Sequence, residues 1–114
     1  MNGSSYISRF DRETAPKSHN GTVFAGKVLP GGLKAPFDDS WGYLEGKSKM
    51  EEHSHPTDEV YLVIAGRGYC HIGGEKFEVK PGDVVEIPPN AMHTMECGEG
   101  GTLLWAALWW NHME

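Results

Sequence analysis

From residue 41 onward the chain is written in short apolar or alternating runs, each cut off after a few residues by Gly, Pro, Asn or Asp. Runs at 41–44, 47–53, 60–65, 68–72, 76–79, 84–87, 93–97 and 103–110 have the length and two-residue period of strands. Their close spacing predicts an all-β sandwich or barrel. Gly73-Gly74 between Ile72 and Glu75 is a two-residue hairpin signal, and Lys80-Pro81-Gly82-Asp83 is a second turn, with the Asp83 carboxylate expected on local backbone. Upstream, Asn-Gly, Leu-Pro-Gly-Gly and Ala-Pro steps interrupt any helix and leave 22–25 as the best strand candidate. The expected organisation is a single domain: residues 1–36 form an arm with short strands at a barrel or dimer edge, and 37–114 form the barrel itself.

The run 103–110, Leu-Leu-Trp-Ala-Ala-Leu-Trp-Trp, is apolar on both alternating faces and so needs cover on both. One face is expected to line the barrel and the other to pack on a second subunit, giving a homodimer. A strand fully buried within one chain is the alternative.

Length and charge narrow the partners. A chain of 114 residues holds one core. A net charge of −6 repels phosphate backbones and anionic lipid, so no nucleic acid or membrane is expected as a partner. No apolar run approaches the ~20 residues that cross a bilayer, and Met1-Asn2-Gly3-Ser4-Ser5 lacks the basic and apolar parts of a leader, so a cytoplasmic location is expected. Cys70 and Cys97 are too few for a disulfide framework and read as core thiols.

The chemistry concentrates in His53-Ser54-His55-Pro56-Thr57-Asp58-Glu59 and in His93. Residues two apart in an extended chain point to one side, so His53 and His55 can reach one ion. Pro56 blocks a continuous helix, and a turn can bring Glu59 beside them. Asp58, its neighbour, must face the other way. His93 follows Pro88-Pro89-Asn90, a turn that delivers it to the same place. His71 alternates away from Cys70 and Ile72 and is assigned to solvent or an interface, and His112 to solvent; His19 lies outside these runs.

This spacing resembles the two motifs of the cupin family. His53, His55, Glu59 and Gly66 fit the first, G-x5-H-x-H-x3,4-E-x6-G, with Gly46 one residue further upstream than the pattern asks. Gly82, Pro88 and His93 fit the second, G-x5-P-x-G-x2-H-x3-N, with Asn90 for its glycine and Cys97 for its asparagine. Asn tolerates positive φ better than any residue except Gly, so the turn can still form. The motifs occupy 46–66 and 82–97. The resemblance implies a double-stranded β-helix, a jelly-roll barrel, with His53, His55, Glu59 and His93 holding one divalent transition metal: iron, manganese, nickel or zinc. Small members of the family commonly form homodimers.

Three imidazoles and a carboxylate leave open positions on an octahedral ion for a chelating small molecule or for dioxygen. The function expected is a metal-dependent enzyme acting on a small chelating metabolite, with dioxygenase-like chemistry ahead of isomerase, lyase or decarboxylase chemistry. A noncatalytic module that binds a sugar or another small molecule is the alternative. By parity Tyr61 and Val63 share the face of Glu59, and Met95 and Cys97 that of His93, so the cavity should be apolar with a phenol and a thiol. Tyr61 is the candidate acid or hydrogen-bond donor, against a packing role.

Overall fold

The computed structural model describes residues 6–29 and 33–113. The leader reading at 1–5 and most of the Leu-Pro-Gly-Gly step lie outside the described residues. Nine strands and no helix occur among the described residues: β1 (Lys17–Ser18), β2 (Val23–Phe24), β3 (Asp38–Glu45), β4 (Thr57–Gly66), β5 (Gly68–Ile72), β6 (Glu75–Val79), β7 (Val84–Ile87), β8 (His93–Cys97) and β9 (Thr102–Asn111). They form an antiparallel six-stranded sheet, β1-β2-β3-β9-β4-β7, facing a three-stranded sheet, β6-β5-β8. This is the expected all-β jelly roll.

The turns follow the residues that allow them. Gly73 and Gly74 take φ of 57° and 88° to close the β5–β6 hairpin, and Asn90 takes φ 66° ahead of β8. The Asp83 carboxylate accepts the Lys80 amide at 2.9 Å, as a turn residue should.

β9 accounts for its own two-sided apolarity. It is hydrogen-bonded along both edges, to β3 and to β4. Leu103, Trp105 and Ala107 are buried on its inner side, and Ala106 on its outer side is also buried. The core of Leu44, Val63, Cys70, Val79, Met95, Cys97 and Leu103 fills one end of the barrel. Each such side chain contributes about 1.5–3 kcal/mol on burial.

The segment 47–53 departs from expectation. It is no strand but an extended stretch that touches β8 through two isolated bridges, Lys49 to Glu96 and His53 to His93. The Glu51 amide is diverted to the Thr22 hydroxyl at 2.8 Å, which interrupts the ladder. β1 is an added strand that the sequence pattern did not single out.

Candidate metal centre

The end of the barrel opposite that core is hollow. A cavity of about 400 Å3 opens there, bounded by His53, His55, Thr57, Glu59 and Tyr61, by Trp105 and Trp109 of β9, and by Ser18, His19, Val23 and Ala25 of the β1–β2 hairpin.

His53, His55, Glu59 and His93 each offer one donor atom, and the four atoms lie within 4.8 Å of one another. Each arrives by a different local route. His53 and His93 exchange both backbone hydrogen bonds, at 3.1 and 2.9 Å, which locks their Cα atoms side by side. His55 is held by the Asn90 amide, which donates to its carbonyl at 2.7 Å; the positive φ at Asn90 makes that bond possible. Glu59 is on the inner face of β4, and Asp58 is turned outward, within 2.9 Å of His112 Nδ1.

Hydrogen bonds fix the tautomers. His93 Nδ1 lies 2.8 Å from the Ala91 carbonyl and His53 Nδ1 lies 2.8 Å from the Glu51 carbonyl. A carbonyl only accepts, so both Nδ1 atoms carry the proton, and in the neutral ring it is Nε2 that offers a lone pair. His55 is set differently. Its Nε2 donates to Glu59 Oε1 at 2.9 Å, and Thr57 Oγ1 donates to its Nδ1 at 2.8 Å. An ion at His55 Nε2 would displace that proton and leave Thr57 to accept from Nδ1–H.

His93 is the most informative of the four. It is fully buried, and its Nε2 has no hydrogen-bond partner although Glu59 Oε1 is 3.3 Å away. A lone pair facing a carboxylate oxygen calls for a cation between them, and such donor chemistry fits a divalent transition metal.

Burial pushes the His53 imidazole below its ordinary value despite the Glu51 carbonyl, and the nearby His93 lowers it further. Burial and then the Glu59 charge hold the Tyr61 phenol well above its usual value, so it stays protonated. Its ring stands 6.2 Å from that of His93 and 5.6 Å from that of Trp105.

Some residues lie elsewhere than the pattern suggested. Val63, Met95 and Cys97 do face inward, but they are packed into the filled end and do not line the cavity, so its wall carries a phenol and no thiol. Burial raises the Cys97 thiol. His71 is half-buried, bonded to Glu96 at 2.8 Å, and does not line the cavity. The sequence reading missed His19. It stacks on His53 with ring centroids 4.2 Å apart, carried by the positive-φ run His19, Asn20 and Gly21. That turn is tied down by Thr22 Oγ1, which donates to the His19 carbonyl at 2.6 Å, and by the Asn20–Glu51 side-chain pair. Three consecutive turn-forming residues were the available signal. Burial, then the neighbouring His53, lowers the His19 imidazole.

A closed pair of antiparallel sheets with this donor cluster at its hollow end defines the class: jelly-roll barrels built around a group able to hold a metal ion. The chain belongs to the cupin domain family, whose model matches residues 41–110. It is similar over nearly its full length to the plu4264 protein of Photorhabdus luminescens, with 28% identity, 97% of this chain and 89% of that one covered, and a TM-score of 0.82. Over 50 residues, 43% of this chain and 40% of the relative, it is 46% identical to the uncharacterized protein MJ1618 of Methanocaldococcus jannaschii. Over 49 residues it is 42% identical to an acireductone dioxygenase of Bacillus cereus, covering 39% of this chain and 29% of that enzyme. The match thus spans less than half the length of either curated relative.

Proposed function

We propose that His53, His55, Glu59 and His93 hold one divalent transition metal and that the protein is a metal-dependent enzyme acting on a small chelating metabolite. The observation that carries this reading is the buried, unpartnered Nε2 of His93, aimed at the same point as the other three donors. The stretch similar to acireductone dioxygenases favours oxygen chemistry over isomerase, lyase or decarboxylase chemistry.

When bound, the ion supplies Lewis acidity and, where it is redox-active, access to oxygen chemistry. The chain's own side chains do the rest. Thr57 and the Ala91 and Glu51 carbonyls orient the imidazoles through their far nitrogens. Tyr61, buried and protonated beside Glu59, is the candidate hydrogen-bond donor to a substrate oxygen. Trp105 and Ala107 give the cavity an apolar wall.

The test is elemental analysis of protein purified without added metal or tag-derived nickel, followed by oxygen uptake with a panel of small chelating substrates. Near-stoichiometric iron with substrate-dependent uptake supports the oxygenase reading. Zinc, nickel or manganese without uptake redirects it to Lewis-acid chemistry or to simple binding, and metal-free protein that takes up none of these ions rejects it.

We further propose a homodimer. Leu104, Leu108 and Trp110 of β9 and Val60 and Leu62 of β4 form a partly exposed apolar band on the outer face of the six-stranded sheet, and a second copy is its natural cover.

A further inference from the structure

We propose that the molecule held at this centre has a flat aromatic body and carries at most one negative charge; this rests on the metal reading above and names the substrate class for the same site. Two independent features of the cavity support it.

The first is the shape of its wall. Trp105, Trp109 and Tyr61 all project from the inner face of β9 and β4, where Glu59 pairs with Trp109 and Tyr61 with Ala107. The Trp105 and Tyr61 rings sit 5.6 Å apart at 39°, as one tilted aromatic surface. Gly42, directly across from Trp105 on β3, leaves the room that the indole occupies. A Cβ at Gly42 would come within 2.1 Å of Trp105 Cε2, so any other residue there would force the indole to shift. Trp105 and Tyr61 are buried and back the cavity, and the partly exposed Trp109 is the ring a ligand would meet. Flat π-faces select other flat π-systems by offset or edge contact. About 400 Å3 lies toward the lower end of the range for small-molecule sites and suits a small fused-ring body.

The second is charge. Among the described residues no Lys or Arg lines this cavity, and Glu59 is the one carboxylate that does. A phosphorylated or dianionic ligand would be desolvated there with no side-chain counter-charge. A divalent ion next to one carboxylate leaves a single positive charge, which matches a monoanionic enolate, phenolate or carboxylate.

The experiment uses the whole chain and calorimetry, in two arms. In the metal-free arm, 2-naphthol is titrated against 2-decalinol, its saturated counterpart of like size. In the metal-loaded arm, 2,3-dihydroxynaphthalene is titrated against acetylacetone, an acyclic chelator. Both arms are repeated on Trp109→Leu, which keeps apolar bulk and removes the ring, and on Trp109→Phe as the conservative rescue. The expected result is a preference of about tenfold for 2-naphthol over 2-decalinol. In Trp109→Leu, 2-naphthol and 2,3-dihydroxynaphthalene should weaken about tenfold, with acetylacetone and metal content within about twofold; Trp109→Phe should restore most of the loss. Equal binding of 2-naphthol and 2-decalinol overturns the inference, as does a Trp109→Leu loss that is the same for the aromatic and acyclic chelators. Protein that takes up no metal yet keeps the naphthol preference rejects the metal reading alone and leaves the aromatic cavity standing.

Discussion

At His93 an imidazole nitrogen faces a carboxylate oxygen across 3.3 Å, sealed from water, and the first expectation for a single residue follows from how that opposition is relieved. His55→Ala removes a donor from the half-buried side of the cluster, far from the packed core. Metal content should fall below about a tenth of wild type with circular dichroism unchanged, since the barrel's stability comes from apolar burial at its other end. A second residue-level effect concerns Cys70, whose thiol burial pushes from 9.0 to about 12. Above pH 9 the unfolded chain loses that proton while the folded chain keeps it. Stability should therefore fall as pH rises through this window, by about 1.4 kcal/mol per pH unit at most, and urea midpoints measured against pH should show a shallower slope in Cys70→Ala. The four donors were legible because strand parity, a proline and a glycine-like turn fix where each side chain goes. His19 was not, because its place depends on a hairpin whose strands are two residues long, too short for any periodicity to register. Cys97 misled for the opposite reason. Parity gave its direction correctly, but only packing volume decides which end of a barrel is hollow.

Among the elements, the most constrained junction is the end of β4. Gly66 has φ of 84°, and a Cβ there would come 1.9 Å from the Thr102 carbonyl oxygen on β9. Backbone cannot yield as a side chain can, so Gly66→Ala should cost more than about 2 kcal/mol by denaturant unfolding. Asp39 plays a comparable part on β3. It is buried, it accepts the Val28 and Leu29 amides at 2.6 and 2.8 Å, and Lys27 Nζ stands 2.9 Å away. Burial alone would raise its carboxyl, but Lys27 and the two amides outweigh it and hold the group below its ordinary value. That stabilisation is present above the unfolded carboxyl value and is lost as pH falls through the folded one. Asp39→Ala should cost about 1–3 kcal/mol and raise amide exchange at Val28 and Leu29. Most strands were readable from apolar runs, with ends shifted by a residue or a few. The extended stretch at 47–53 was not, because a side-chain hydroxyl from the arm competes for a backbone amide, and no local pattern encodes that competitor.

For the whole molecule, the fold class was legible and the assembly is a matter of one exposed face. If the outer band of the large sheet is an interface, Leu108→Lys should convert a dimer to a monomer in sedimentation, with secondary structure unchanged. A wild-type monomer at micromolar concentration would remove the dimer from consideration. The position of β9 carries a further consequence, for the order of events during synthesis. It is the last of the nine strands to be made, yet it lies between β3 and β4, which pair with each other only through it. Until residues 102–111 are made, the large sheet can form only as two halves whose facing edges lack a partner, one of them on the strand bearing Glu59. Such edges are templates for the wrong partner. Barrel closure and assembly of the four-donor cluster therefore become a single late event, and a nascent chain stalled before Thr102 should be open to proteases and chaperones and unable to retain metal.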